Sequence, residues 1–412
     1  MTISMNSIKM SSSKADCHSC RKILFVLGTL WGENGITSHL LTLSRGLQKS
    51  GWNIAIASSL ASNSDAAIIE ARRAVERFTA QGIQYFEISF SSLKPSPRSI
   101  IKGIQSFQAL SQVLEEFQPD IIHLHSLSIA PYVRLAAIQH RIPMISTRHA
   151  EPDSREVPPF WRIQVNRYLS RLWGDRLIAI SSELQQFFEM SLRIESKRIK
   201  LVNHGVDDGH FRPPSPEERQ SSRLEYGLQD SDRVVCLVGR LDPMKGHDVL
   251  IKALSILKQQ DFMVIALVAG KSYGDELSCV MGQASEYDVT EQVHCLGMVE
   301  TQTVLWASDI ITLPSVREGF ALVIVEAMLC GVIPIRTPAG GAFDQIQDGV
   351  NGWIIPFNTP EILAGRIRET FENVELKIKL STQALQSAQD KFTLDRMIHQ
   401  TIEVYNEVLV NK

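Results

Sequence analysis

The stretch Glu318-Gly-Phe-Ala-Leu-Val-Ile-Val-Glu326-Ala-Met-Leu-Cys-Gly331 holds two carboxylates in a setting that suits one of them poorly. Arg317, Glu318 and Gly319 form a polar lead-in, an apolar run reaches Val325, and Gly331 stands where a glycine ends a helix. A lone carboxylate in so apolar a helix is costly to bury without a partner, so Glu326 is expected to face a cleft or a polar ligand. If the whole stretch is helical, a rise of about 1.5 Å per residue sets the two carboxylates roughly 12 Å apart. Glu318 then lies at the helix start, beside backbone N–H groups that lack internal partners and suit a phosphate. A sugar, a diphosphate and a ribose laid along the helix would meet these needs in order. A buried helix with an ordinary capping glutamate is the plainer alternative.

Two further groups of residues could join that chemistry. Gly239-Arg240-Leu-Asp-Pro-Met-Lys245-Gly246 follows an apolar strand, so Arg240 and Lys245 stand on a loop at its carboxyl end. A planar guanidinium and a compact ammonium suit a pyrophosphate whose charge grows as a bond to it breaks. Solvated loop charges are the alternative for each alone. The expected strand at 120–125 ends in His123 and His125, and that at 143–147 runs into Arg148, His149 and Glu151. Ligands of doubly wound sheets sit off the carboxyl ends of strands, and His149, flanked by an arginine and a glutamate, is the best candidate of the three.

The elements that must position these groups are legible as strand and helix periods. Lys22–Leu27 reads as a buried strand, followed by a loop with Gly28, Gly32 and Gly35 and a helix with Ile36, Leu40, Leu43 and Leu47 on one face. Those glycines are spaced by four and three, not by the two and three of a dinucleotide fingerprint. Alternation continues through Asn53–Ser58, Ile83–Ile88, Ser99–Phe117, Ile129–His140 and Leu177–Ile180. The turn-rich, proline-rich segment 203–219 reads as a linker, and a second alternation begins at Arg233–Gly239. Its strands are expected at Phe262–Ala269, Val293–Leu296, Ile310–Leu313, Val332–Ile335 and Trp353–Ile355, and Leu394–Val410 reads as an amphipathic final helix. The expected organisation is a disordered tail at 1–20, an α/β domain at 21–205, a second at 206–390 and a closing helix at 391–412.

Composition narrows the class. A net charge of −3 excludes a global attraction to nucleic acid or anionic lipid. With 44% hydrophobic and 21% charged residues the chain reads as globular, and no apolar run reaches membrane-spanning length. A cytoplasmic location is expected, with peripheral membrane contact through the arginines and aromatics of Phe160–Trp173 as an option. The six cysteines show no disulfide framework, and Cys17-His18-Ser-Cys20 has no second pair to complete a zinc site.

Three motifs together, Gly239-Arg240…Lys245-Gly246, Pro314-Ser315…Glu318-Gly-Phe…Glu326-Ala-Met…Gly331 and Gly340-Gly341…Asp348-Gly…Asn351-Gly352, carry a family resemblance from Lys22 to Val410. The chain resembles the retaining glycosyltransferases of family 4, with a C-terminal domain like that of glycogen synthase. The resemblance implies the GT-B fold: two Rossmann-like, doubly wound α/β domains facing a cleft, with a C-terminal helix that crosses back. It implies an acceptor on the first domain and a nucleotide-diphosphate sugar on the second. Arg240 and Lys245 would hold the diphosphate with Gly319 and the amides of Phe320, Ala321 and Leu322. Glu318 would contact the transferred sugar, Glu326 the ribose, and Gly35 would approach the phosphates from the first domain. His149 matches the histidine near the reacting sugar. The implied reaction moves a hexose-type sugar to a carbohydrate or lipid-linked acceptor, in polysaccharide or glycolipid biosynthesis, with no metal or other cofactor. An epimerase or hydrolase on the same fold, or a catalytically silent nucleotide-sugar-binding subunit, are the competing readings.

The chain departs from the family pattern at four places. Asn34-Gly35 stands for a glycine pair, Thr37 for an acidic residue, Ala342-Phe343-Asp344 for a sequence with Pro-Glu, and His204 for an asparagine.

Overall fold

The computed structural model describes residues 21–32, 35–61, 64–90, 97–149, 174–272 and 274–410. The expected tail at 1–20, with Cys17, His18 and Cys20, and the aromatic segment 160–173 lie outside the described residues, as does Glu151.

Among the described residues, thirteen strands form two all-parallel sheets. The first takes β1 (Lys22–Leu30), β2 (Asn53–Leu60), β3 (Gln84–Glu87), β4 (Ile121–Leu124), β5 (Met144–Arg148), β6 (Arg176–Ala179) and β7 (Ile199–Leu201) in the order 3-2-1-4-5-6-7. The second takes β8 (Val234–Val238), β9 (Ile265–Ala269), β10 (Val293–Gly297), β11 (Ile310–Leu313), β12 (Ile333–Arg336) and β13 (Trp353–Ile354) in the order 10-9-8-11-12-13. Helices cover both faces, so the central strands are apolar throughout, and Ile23 to Val26 and Val234 to Leu237 have no exposed surface.

In each sheet the strand order reverses beside the strand that starts the domain, between β1 and β4 and between β8 and β11. At such a switch point the loops from adjacent strands diverge and leave a crevice off the carboxyl ends. The topology therefore carries the loop after β8, with Arg240 and Lys245, and the loop after β11, with Glu318, to one crevice. In the first domain it carries the Gly35 helix start and His125 to the other.

Several bounds differ from the sequence expectation. β1 continues through Gly28 to Leu30 with a register shift between Val26 and Thr29, because Ser59 Oγ donates to the Gly28 carbonyl at 2.7 Å and holds the irregular turn in the sheet. β9 begins at Ile265, three residues late, since Phe262 is spent closing the preceding helix, its N–H donating to the Leu257 carbonyl at 3.0 Å. The segment read as linker contains a helix start: Ser215 and Glu218 form a reciprocal capping box on Pro216–Glu225.

The chain crosses between the sheets twice, and the two crossings are joined. Val206 and Thr393 form a parallel bridge, with Val206 N–H donating to Phe392 O at 2.9 Å and Leu394 N–H to Val206 O at 2.8 Å. From there Leu394–Val410 runs back over the first domain, burying Met397, Ile398, Val404, Tyr405 and Val408 among Ile23, Phe25, Leu40 and Leu43. No helix of the described residues is long and apolar enough to cross a membrane.

Candidate active site

The loop after β8 is fixed by backbone geometry before any ligand arrives. Gly246 has φ +75°, and a Cβ there would lie 2.3 Å from the Pro314 carbonyl oxygen, so only glycine lets this loop close on the end of β11. Asp242 caps the turn through Oδ1, which accepts from Met244 N–H at 2.9 Å, and Val316 N–H donates to Met244 O at 2.8 Å. This places Lys245 against the next loop: its Nζ donates to Glu318 Oε1 at 2.7 Å, with both side chains largely buried. Arg240 stands on the same loop but reaches outward, its side chain 58% exposed and its guanidinium 3.5 Å from Asp242.

The helix that follows spans only Leu322–Leu329. Glu318 is therefore on a loop ahead of the helix, and the rigid spacing expected for a continuous helix from Glu318 to Glu326 does not apply. Gly340 lies against this loop: a Cβ on it would meet Glu318 O at 2.6 Å, so only a glycine lets the turn pack directly on the Glu318 and Gly319 backbone. Ala321 is the N-cap and no side chain caps the first turn. Phe320 and Ala321 are nearly buried, and Leu322 begins the helix. At the other end Gly331 N–H donates to Met328 O and Val332 N–H to Ala327 O, at 3.0 and 2.9 Å, the paired closure expected of a left-handed glycine after the cap.

Glu326 lies on the face of this helix that lines a cavity of about 300 Å³ between the domains. The opposite wall carries His39, Thr42 and Arg45 of the first helix, and Asp207 and His210 close it from the crossing segment. Burial, with a smaller push from Glu300, raises the Glu326 carboxyl to about 7. The expectation that this carboxylate faces a cleft holds.

His149 sits in a cluster of five imidazoles at the carboxyl end of the first sheet. His125 Nδ1 is 3.0 Å from His149 Nε2, and the rings of His39 and His204 stack at 3.9 Å. His204 in turn lies 5.8 Å from Phe320, which links the cluster to the second domain. His123 is structural, held by Thr147 Oγ1 at 2.7 Å and by the Tyr405 hydroxyl at 2.8 Å. Burial pushes all five well down, His149 to about 4, and mutual repulsion adds to it for His39, His123, His125 and His204, so the cluster is neutral. His149 Nδ1, His39 Nδ1, His125 Nε2 and both nitrogens of His204 are buried without a protein partner. Arg148, read as a flanking charge, turns instead onto the Phe187 ring at 5.3 Å.

Direct contacts span the crevice. The Asp344 carboxylate accepts from Ser182 N–H at 2.8 Å and from its hydroxyl, and Glu183 accepts from Gly341 N–H at 3.1 Å. Lys271 pairs with Glu70 across the same gap. Behind Gly340, the fully buried Arg336 donates to Gln345 Oε1 and to the Ala339 and Gly340 carbonyls. Gly35 opens the first helix with open space around it.

Two sequence families match this arrangement. Residues 33–210 match "Glycosyltransferase Family 4" and residues 218–387 match "Glycosyl transferases group 1", so the matches take in both domains. The chain belongs to the family 4 glycosyltransferases. Solved structures agree on the GT-B fold. A glycosyltransferase from Rickettsia africae superposes with a TM-score of 0.81 at 21% identity, covering 95% of this chain and 100% of that one. Anabaena HepE in complex with UDP and glucose superposes at 0.77 with 22% identity, covering 94% and 100%. Among sequence relatives, the D-inositol 3-phosphate glycosyltransferase of Mycolicibacterium gilvum is 30% identical over 269 residues, which is 61% of this chain. That match spans 58% of the relative's length.

Within this family 4 chain the structure gathers Lys245, Glu318, Gly319, Phe320, Ala321, Leu322 and Glu326 along one wall and His149 on the other. Sequence reasoning missed His39, His204, Arg336 and the bond from Asp344 to Ser182. An arginine ending the apolar strand Val332–Arg336 is a signal that could have been read. The histidines gave none, because they meet only through the tertiary fold.

Proposed function

We propose that the protein is a retaining glycosyltransferase that moves a hexose-type sugar from a nucleotide-diphosphate sugar to a carbohydrate or lipid-linked acceptor, in polysaccharide or glycolipid assembly, without a metal. The observation that carries this reading is the Lys245–Glu318 pair beside an uncapped helix start, with Glu326 eight residues on facing the interdomain cavity. The diphosphate lies on the amides of Phe320, Ala321 and Leu322, with Lys245 and Arg240 on its oxygens. Glu318 takes a hydroxyl of the sugar, Glu326 the ribose, and His149 and the Gly35 helix start close the site from the first domain. HepE was solved with UDP, with UDP and glucose, and with UDP-glucose, which supports a donor of that class.

In the reaction the bond from the anomeric carbon to the diphosphate oxygen breaks while the acceptor oxygen bonds to the same face of that carbon. The acceptor's proton passes to the departing diphosphate oxygen, so no protein base is consumed. Lys245 and Arg240 hold the charge that accumulates on the diphosphate, and closure of the domains excludes water.

A panel of UDP-, GDP- and ADP-sugars, read by thermal shift and by nucleotide release with candidate acceptors, tests the reading. Failure to bind every donor refutes it, and release only as free sugar or epimer assigns a hydrolase or epimerase. Lys245→Ala is expected to lower turnover more than donor affinity. Weaker donor binding with unchanged turnover contradicts the role given to Lys245.

A further inference from the structure

His125 lies between two histidines but hydrogen-bonds with one. Its ring centre is 4.0 Å from His123 and 5.2 Å from His149. Both nitrogens of His123 are engaged by Thr147 and Tyr405, whereas His125 Nδ1 stands 3.0 Å from His149 Nε2. Burial keeps both rings of the pair neutral, so each carries one N–H and a single proton lies between them.

Two arrangements satisfy that bond. If His149 donates from Nε2, the N–H of His125 is on its own Nε2, which is buried without a partner. If His125 donates from Nδ1, its Nε2 is a bare acceptor and the N–H of His149 is on Nδ1, also buried without a partner. Each leaves one orphan N–H, and a buried orphan donor is the costlier kind of unpaired group. His125 is only 4% exposed, whereas His149 is less buried and stands where the chain leaves the sheet. The second arrangement puts the orphan N–H on the less buried ring, the one the proposed function sets beside the sugar.

We propose that His125 is the positioning residue for His149: its Nδ1–H donates to His149 Nε2, fixes that ring, and leaves Nδ1–H of His149 as the donor to a sugar oxygen in the cleft. This rests on the reading of His149 as the histidine beside the reacting sugar.

The tautomers are read by two-bond ¹H–¹⁵N correlation on the full chain without ligand. The expected result is His149 protonated at Nδ1. His125→Leu shifts it toward Nε2–H, and His125→Asn, whose amide N–H stands near the lost Nδ1–H, restores the original pattern. Protonation of His149 at Nε2 in the unmodified protein, or an unchanged pattern in His125→Leu, overturns the proposal. UDP release from UDP-glucose gives the kinetic arm. His125→Leu is expected to slow it roughly 10- to 100-fold with KM within about twofold, and His125→Asn to recover most of the loss. The double variant His125→Leu/His149→Ala is then no slower than His149→Ala alone, and multiplicative losses overturn the coupling. If His149→Ala leaves UDP release unchanged while the tautomers behave as stated, the reading of His149 fails, and with it the role of His125 in the reaction, while the pairing is upheld.

Discussion

Glu326 sets the need of a ligand against the stability of the fold. Its carboxyl is raised by burial to about 7 from an ordinary 4.5, so the folded, unliganded protein holds the charged form at a cost. The sign follows from linkage: below both values the carboxyl is protonated in either state and there is no penalty. As pH rises through 4.5 the unfolded chain ionises first, and the folded state loses ground until pH passes 7. The full penalty is on the order of 3 kcal/mol. Glu326→Gln removes the charge and keeps the shape. It is expected to stabilise the unliganded protein by about 3 kcal/mol at pH 8 and by about 2 kcal/mol at pH 6. Urea midpoints of the two proteins at each pH measure the gap, and the buried histidines, common to both, cancel. The same variant is expected to bind nucleotide-sugar more weakly, since an amide replaces the acceptor offered to the ribose. A gap that does not change with pH, or a variant less stable than the parent at pH 8, refutes the argument.

The histidine cluster makes the protein acid-sensitive. Because burial holds His149 at about 4 against 6.5 unfolded, its stability contribution is full above about 6.5 and falls by roughly 3 kcal/mol as pH drops toward 4, with the other four rings adding to the loss. Urea midpoints between pH 7 and pH 5 should fall for the parent and fall less for His149→Leu. Asp344→Ala removes a charged acceptor from Ser182, an interaction worth about 1.5–3 kcal/mol, and is expected to loosen the contact between domains. Small-angle scattering should show a larger radius of gyration, with Asp344→Asn intermediate, and an unchanged radius counts against a role in closure.

The parts of the fold that the sequence displayed are those whose pattern is local. Ile310–Leu313 is an apolar run bounded by Asp309 and Pro314, and the strand has those bounds. Leu394–Val410 keeps a helical period throughout, and the helix spans the same residues. Gly28 and Thr29 look like loop because what keeps them in β1 is distant in the chain: the pairing of Thr29 and Leu30 with Ser59 and Leu60, and the Ser59 hydroxyl on the Gly28 carbonyl. Ser215-Pro216…Glu218 was legible as a cap but was outweighed by three neighbouring prolines. At the site, the pairing of Lys245 with Glu318 could be anticipated from two strand-end loops at one switch point. The late helix start that leaves Glu318 on a loop could not, since the turn packed on that loop, at Gly340, is more than twenty residues away in the chain. The five imidazoles come from two strand ends, a helix and the crossing turn, and chain order places only the three at the strand ends together.

The return of the last helix has a kinetic side. Tyr405, bonded to His123 across 282 positions, helps to complete the core of the domain that is synthesised first. During translation the side of the first helix that carries Gly46, on which Ile398 packs, stays uncovered until the last helix emerges, by which time the second domain is already made. Closure of so long a loop slows the final step of folding and leaves an apolar surface open in the interim. Chains cut short before Leu394 are therefore expected to be substrates for chaperones and proteases rather than partial enzymes.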